Sequence, residues 1–195
     1  MKTCLVTGGA GFLGSHLSDY LLTKGYQVIG MDNLLTGSVR NIEHLASNEN
    51  YRFIQMDVTE YIYIDGKIDF IFHCASYGQP KKWQGNELKT VNLNINLLKL
   101  ILEHSVKYKS RILYLSSAAI YEIPKNKKII NENSTLGMGK FPGEIMYANS
   151  KIIGEQLCKM YKKKYNLPIY IARPAHTYGP GQDFKDQRFI PQVLK

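Results

Sequence analysis

The stretch TGGAGFLG (7–14) constrains this chain more than any other. It follows a short apolar, β-rich run, TCLVT (3–7), and leads into LGSHLSDYLLTKG (13–25). There Leu13, Leu17 and Leu21 recur at helical spacing, and Gly25 stands where a helix ends. Glycines at 8, 11 and 14 allow a sharp turn out of a strand and close packing of a helix against it. They also leave the helix N-terminus open to a diphosphate. Three glycines alone decide little; the strand before them and the helix after them give the pattern its weight. Asp32 closes the next apolar run, YQVIGMD (26–32). A carboxylate there can accept hydrogen bonds from an adenosine ribose and would repel a 2′-phosphate. No arginine stands beside it before Arg40, so the pattern favours NAD over NADP.

The rest of the chain repeats the same alternation. YRFIQMD (51–57), IDFIFHCAS (68–76), RILYLSS (111–117) and PIYIARP (168–174) read as further strands. VNLNINLLKLILEHSV (91–106) and YANSKIIGEQLCKMYKKKY (147–165) read as helices, and the polar, Gly- and Pro-dotted stretch 122–144 as a long loop. Apolar strands alternating with helices predict an α/β fold, a doubly wound parallel sheet covered on both faces. A length of 195 residues suits one domain, 1–195.

The net charge of +9 allows a nucleic-acid reading, but no zinc-finger, RNP or basic-zipper pattern accompanies it. The densest basic run, KMYKKKY (159–165), closes a predicted helix, where cations suit the helix dipole. A solvated surface that also attracts an anionic small molecule is the expectation, with no nucleic acid and no membrane as partner. No run approaches the roughly 18 to 20 apolar residues of a membrane span. Cys4, Cys74 and Cys158 have no metal-ligand spacing, so no metal is expected. The N-terminus runs into structural glycines rather than a cleavage site, and the cytoplasm is the expected location.

In YANSK (147–151), Tyr147 and Lys151 are one helical turn apart and share a face. An ammonium held there favours a phenolate. In a chain with 14 tyrosines that spacing is weak by itself. The order of several motifs decides the matter. GxxGxxG, the Asp57–Val58 pair after the third strand, SSAAIY (116–121), YxxxK and RPAHTYGPGQ (173–182) follow one another along the whole chain. Together they resemble the extended short-chain dehydrogenases/reductases, in the nucleotide-sugar epimerase/dehydratase branch.

The resemblance implies a Rossmann domain with strand order 3-2-1-4-5-6, NAD as cofactor and a homodimer formed through the helices at 91–106 and 147–165. It implies Ser117, Tyr147 and Lys151 as catalytic residues, with Tyr147 the base. For the cofactor it implies Gly8, Gly11, Phe12, Leu13, Gly14, Asp32, Asn33, Asp57, Val58, Ala75, Ser76, Asn92, Tyr147, Lys151 and Tyr178. For a nucleotide sugar, a UDP-sugar first, it implies Ser117, Tyr147 and His176.

Two departures bear on the reaction. Dehydratases of this branch carry an Asp–Glu pair, and decarboxylases a glutamate, where this chain has Ala118 and Ala119. Epimerisation by transient oxidation is therefore the leading expectation. A UDP-glucuronate-decarboxylase-like, dehydratase or reductase reaction is the alternative. A dinucleotide-binding module without turnover is the alternative of another class. Members also continue well past the YGPGQ segment, so the resemblance implies that most of the C-terminal substrate lobe is absent. Residues 173–195 would be its start, and the chain would be inactive alone.

Overall fold

The computed structural model describes residues 1–57, 66–122, 129–134, 136–137, 142–183, 185–186 and 188–193. In chain order the elements are β1 (Thr3–Thr7), α1 (Phe12–Thr23), β2 (Gln27–Asp32), β3 (Tyr51–Gln55) and β4 (Phe70–His73). They continue with α2 (Pro80–Trp83), α3 (Glu87–Val91), a π-helical segment Asn92–Leu97, α4 (Leu98–Tyr108) and β5 (Arg111–Leu115). α5 (Pro142–Tyr165), β6 (Ile169–Ala172) and α6 (Phe189–Val193) complete the chain. Short 3-10 turns occupy Val39–Asn41, Glu43–Leu45 and Ala118–Ile120.

All strand pairs are parallel, in the order β3-β2-β1-β4-β5-β6. This is the doubly wound sheet and the strand order that the sequence leads one to expect. The chain winds outward from β1 to β3 and then crosses back to β4. The C-terminal ends of β1 and β4 therefore flank the switch point where such sheets open a crevice. Thr7 is in register with both Met31 and His73, so Gly8, Asp32 and Cys74 emerge together at that edge.

Successive residues of β1 point to opposite faces, and both faces are covered. Leu5 joins a core with Ile71, Ile112, Leu98, Ile101 and Leu102. Cys4 and Val6 join Leu21 of α1 and Val28 on the other side. A strand buried on both sides has no polar positions to alternate with, which explains its unbroken apolar run. Burial pushes the Cys4, Cys74 and Cys158 thiols up to about 12, so all three stay protonated.

Two elements differ from their sequence-based limits for local reasons. α5 begins at Pro142, five residues before YANSK, because proline lacks an N–H that the first turn would leave unpaired anyway. It ends at Asn166, whose φ of 51° is left-handed. The helix expected at 91–106 runs from Glu87 to Tyr108, interrupted by the π segment, which packs against α5.

Candidate active site

The crevice at the switch point is a cleft of about 1680 Å³. Pockets for single drug-sized ligands run to ~300–1,000 Å³, so this one has room for two. Its floor at one end is the glycine loop. Gly8 has φ of 72°, and a Cβ on it would lie 2.9 Å from Ala75 N. A Cβ on Gly14 would lie 2.1 Å from Gly8 O, so only glycine lets α1 come this close to the loop. Gly11 is the N-cap of α1 and makes no side-chain cap, which leaves the helix N-terminus to an outside acceptor.

Asp32 closes β2 beside that loop and is buried. Its Oδ2 accepts from Ala10 N at 3.1 Å and its Oδ1 from Leu34 N at 2.8 Å. Burial raises its pKa, and these backbone hydrogen bonds oppose the rise. Open N–H groups, a close-packed glycine turn and a fixed carboxylate are the donor and acceptor set an adenine dinucleotide needs, so the residues present fit one.

At the other end of the cleft lie Ser117, Tyr147 and Lys151. Ser117 follows β5 and caps the 3-10 turn, its Oγ accepting from Ala119 N at 3.1 Å. That bond leaves the serine hydrogen free to donate. Tyr147 and Lys151 come from α5, one turn apart, and both are nearly fully buried. Lys151 Nζ donates to Leu115 O at 2.8 Å and lies 5.1 Å from the Tyr114 ring centroid and 5.8 Å from that of Tyr147. Burial pulls its pKa down to about 7. Burial also raises the Tyr147 pKa, while the hydroxyls of Ser117 and Ser76 and the Arg188 charge pull it back.

Behind this group is a polar layer. Ser76 Oγ donates to Asn94 Oδ1, Asn94 Nδ2 donates to Ser150 Oγ, and both distances are 2.9 Å. Ser150 Oγ then donates to Tyr147 O at 2.8 Å. Asn94 reaches Ser76 and Ser150 from the π segment, a type of turn that recurs at functional sites. Glu155, one turn past Lys151, takes two 2.7 Å hydrogen bonds from Arg173, whose Nη1 also donates to Tyr121 OH and Glu132 O. Burial would raise the Glu155 carboxyl, but the bonds from Arg173, the Ser116 hydroxyl and the charges of Arg173 and Lys159 together bring it below its ordinary value. This ion pair ties the end of β6 to α5 beside the cleft.

The sequence-based site residues divide accordingly. Gly8, Gly11, Phe12, Leu13, Gly14, Asp32 and Asn33 line the dinucleotide end, and Ala75, Ser76 and His176 line the cleft further along. Asp57 and Tyr178 do not line it, and Tyr178 is 58% exposed. Val58 lies outside the described residues. Asn92 is turned outward, accepting from Asn96 Nδ2 at 3.1 Å, and Asn94 occupies the inward position instead. Sequence reasoning also missed Trp83 and Arg173. Among the described residues no cluster of three or more His, Cys, Asp or Glu could hold a metal ion, and no helix is long and apolar enough to cross a membrane.

With this geometry in view, the family model described as "NAD dependent epimerase/dehydratase family" matches residues 4–195. The chain belongs to that family. Among curated members it is 33% identical, over 99% of its own length, to UDP-glucuronic acid decarboxylase 1 of Xenopus tropicalis. It is likewise 33% identical, over 98%, to UDP-glucuronic acid decarboxylase 2 of Arabidopsis thaliana. It spans 45% and 43% of those two proteins, about half their length. Among solved structures of similar proteins, Bacillus cereus UDP-glucuronic acid 4-epimerase in complex with UDP-glucuronic acid and NAD superposes with a TM-score of 0.79 at 28% identity. That match covers 94% of this chain and 59% of the epimerase. Pal from Bacillus thuringiensis gives 0.85 at 26% identity, covering 96% of this chain and 60% of Pal.

Proposed function

We propose that this family member is the dinucleotide-binding and proton-transferring part of an NAD-dependent enzyme that oxidises a hydroxyl of a UDP-uronic acid. The observation that carries the reading is the meeting of Ser117, Tyr147 and Lys151 at one end of a cleft whose other end suits an adenine dinucleotide. The substrate class rests on the relatives, whose names share UDP-glucuronic acid across decarboxylases and a 4-epimerase.

NAD, when bound, supplies the hydride acceptor and a positive ring. The chain's own residues do the rest. The glycine loop and the α1 N-terminus take the pyrophosphate, and Asp32 takes the adenosine ribose. Ser117 donates to the reacting hydroxyl and holds it, and Tyr147 removes its proton. Lys151 offsets the phenolate charge and can hold the nicotinamide ribose.

The fate of the oxidised sugar separates two reactions. A uronic acid oxidised at C4 is a β-keto acid, whose ketone accepts the electron pair left as CO2 departs. Decarboxylation is the reading the curated relatives favour. It does not need a carboxylate at Ala119 for C–C cleavage, only a proton source for the carbon left behind. Epimerisation is favoured instead by Ala118 and Ala119, which offer no acid there. Incubation of the full-length protein with NAD and UDP-glucuronic acid, followed by mass spectrometry, decides between them. Loss of CO2 supports decarboxylation, and a product of unchanged mass with a new retention time supports epimerisation. No conversion, with or without added NADH, sinks the substrate assignment.

The carboxylate reading of Asp32 has its own test. Asp32→Asn removes the charge but keeps the shape, so NAD affinity falls about tenfold, the worth of one charge-assisted hydrogen bond. Discrimination against NADP falls with it. Calorimetric titration of both dinucleotides measures the two effects, and unchanged NAD affinity rejects the assignment.

A further inference from the structure

Trp83, the last residue of α2, lies against the ring of the proposed base. The two rings stack with 4.3 Å between centroids and 12° between planes. That separation is at the short end for aromatic pairs, so the contact is close over the whole face. The indole is 7% exposed, and its Nε1–H donates to Tyr77 O at 2.6 Å, which fixes the plane of the ring. α2 is held against α5 where Gly143 lacks a side chain; a Cβ there would come within 3.3 Å of Trp83 Cβ. Trp83 also lines the cleft beside Tyr147.

We propose that Trp83 is a positioning residue for Tyr147, fixing the plane of its ring and keeping water off one face of the phenol. The proposal rests on the reading of Tyr147 as the base. A tyrosine swings about two side-chain bonds, and a shift of about 1 Å at its oxygen can cost on the order of a hundredfold in rate. The indole blocks one face, and Lys151 approaches the ring from elsewhere on α5. The phenol oxygen is thereby kept near the Ser117 and Ser76 hydroxyls. Trp83 also forms part of the wall that buries Tyr147. Removing the indole hydrates the phenol, favours its ionised form and lowers the pH at which it becomes a base.

The chain has one tryptophan, so indole emission reports on this position alone. In the wild-type chain, emission excited selectively at the indole falls as Tyr147 ionises, because a phenolate in contact quenches it. In Tyr147→Phe that step is missing. An identical titration in the two proteins overturns the stacking and with it the proposal.

In the full-length protein, Trp83→Ala lowers kcat about tenfold and leaves KM within about twofold. The acid limb of its kcat/KM profile moves to lower pH. Trp83→Phe keeps a stacking ring and restores most of both. A Trp83→Ala protein that loses thermal stability with its kcat and its acid limb unmoved has a structural tryptophan only, and the proposal fails. If Tyr147→Phe keeps full turnover while the emission step is still confined to wild type, the base assignment is what has failed.

Discussion

Phenylalanine at position 147 reduces turnover of the full-length protein by a factor of about 10² to 10⁴, the usual worth of a positioned general base. The fold stays as it was, and the affinity for NAD, carried mainly by the glycine loop and Asp32, falls by no more than a fewfold. The substitution removes one oxygen from a buried ring and leaves its packing on Trp83 intact. The dinucleotide end, from the glycine loop to Asp32, is at the other end of the cleft and loses nothing. Steady-state kinetics beside calorimetric NAD titration separates the two effects. A variant that turns over like wild type rejects Tyr147 as the base. A wild-type protein with NAD binding and no turnover on any nucleotide sugar points to the non-catalytic reading.

Methionine at position 151 is expected to remove turnover while making the fold more stable at neutral pH. Lys151 is 2% exposed, and burial lowers its pKa to about 7. An unfolded chain holds the same proton up to about 10.4. Between those values the unfolded state binds more protons than the folded one, so stability rises with pH across that window. Below about pH 7 the full penalty applies, roughly 5 kcal/mol at most from a shift of this size. Methionine fills similar space without the charge. It also leaves Leu115 O without its 2.8 Å donor, at a cost of about 1–3 kcal/mol. The net gain is then about 2–4 kcal/mol near pH 6, shrinking toward zero or below by pH 10. Thermal unfolding of both proteins across that pH range checks the trend. A gain that grows with pH contradicts a buried, destabilised ammonium. Stability given up for a charged residue at this position is itself a mark of function.

How much of this was legible in the sequence depended on how local the signal was. The glycine loop and Asp32 could be read because each is tied to the backbone of one strand–turn–helix unit, and the strand order followed from the family resemblance. Tyr147 and Lys151 were legible as a pair one helical turn apart, but their role, like that of Ser117, came from the ordered motifs of the family resemblance. What escaped notice was built across distance. Trp83 meets Tyr147 from a four-residue helix with no periodicity to announce it. Arg173 and Glu155 pair between a strand end and a helix that no local pattern connects. Asn92 and Asn94 are both plausible inward residues by composition, and the choice rests on a departure from the 3.6-residue period that the sequence does not signal. Asp57 and Tyr178 lie in segments beyond strand ends, where alternation no longer says which way a side chain points.

The π segment Asn92–Leu97 also carries a consequence for heredity. It holds one residue more than an α-helix of the same span would, so loss of a single codon within it would restore the ordinary repeat. Glu87–Val91 would then turn by about 100° relative to Leu98–Tyr108. The side chain facing Ser76 and Ser150 would no longer be Asn94, although every other letter of the gene stayed the same. A one-codon deletion made here on purpose would therefore rewire the polar layer behind Tyr147 without changing any other residue.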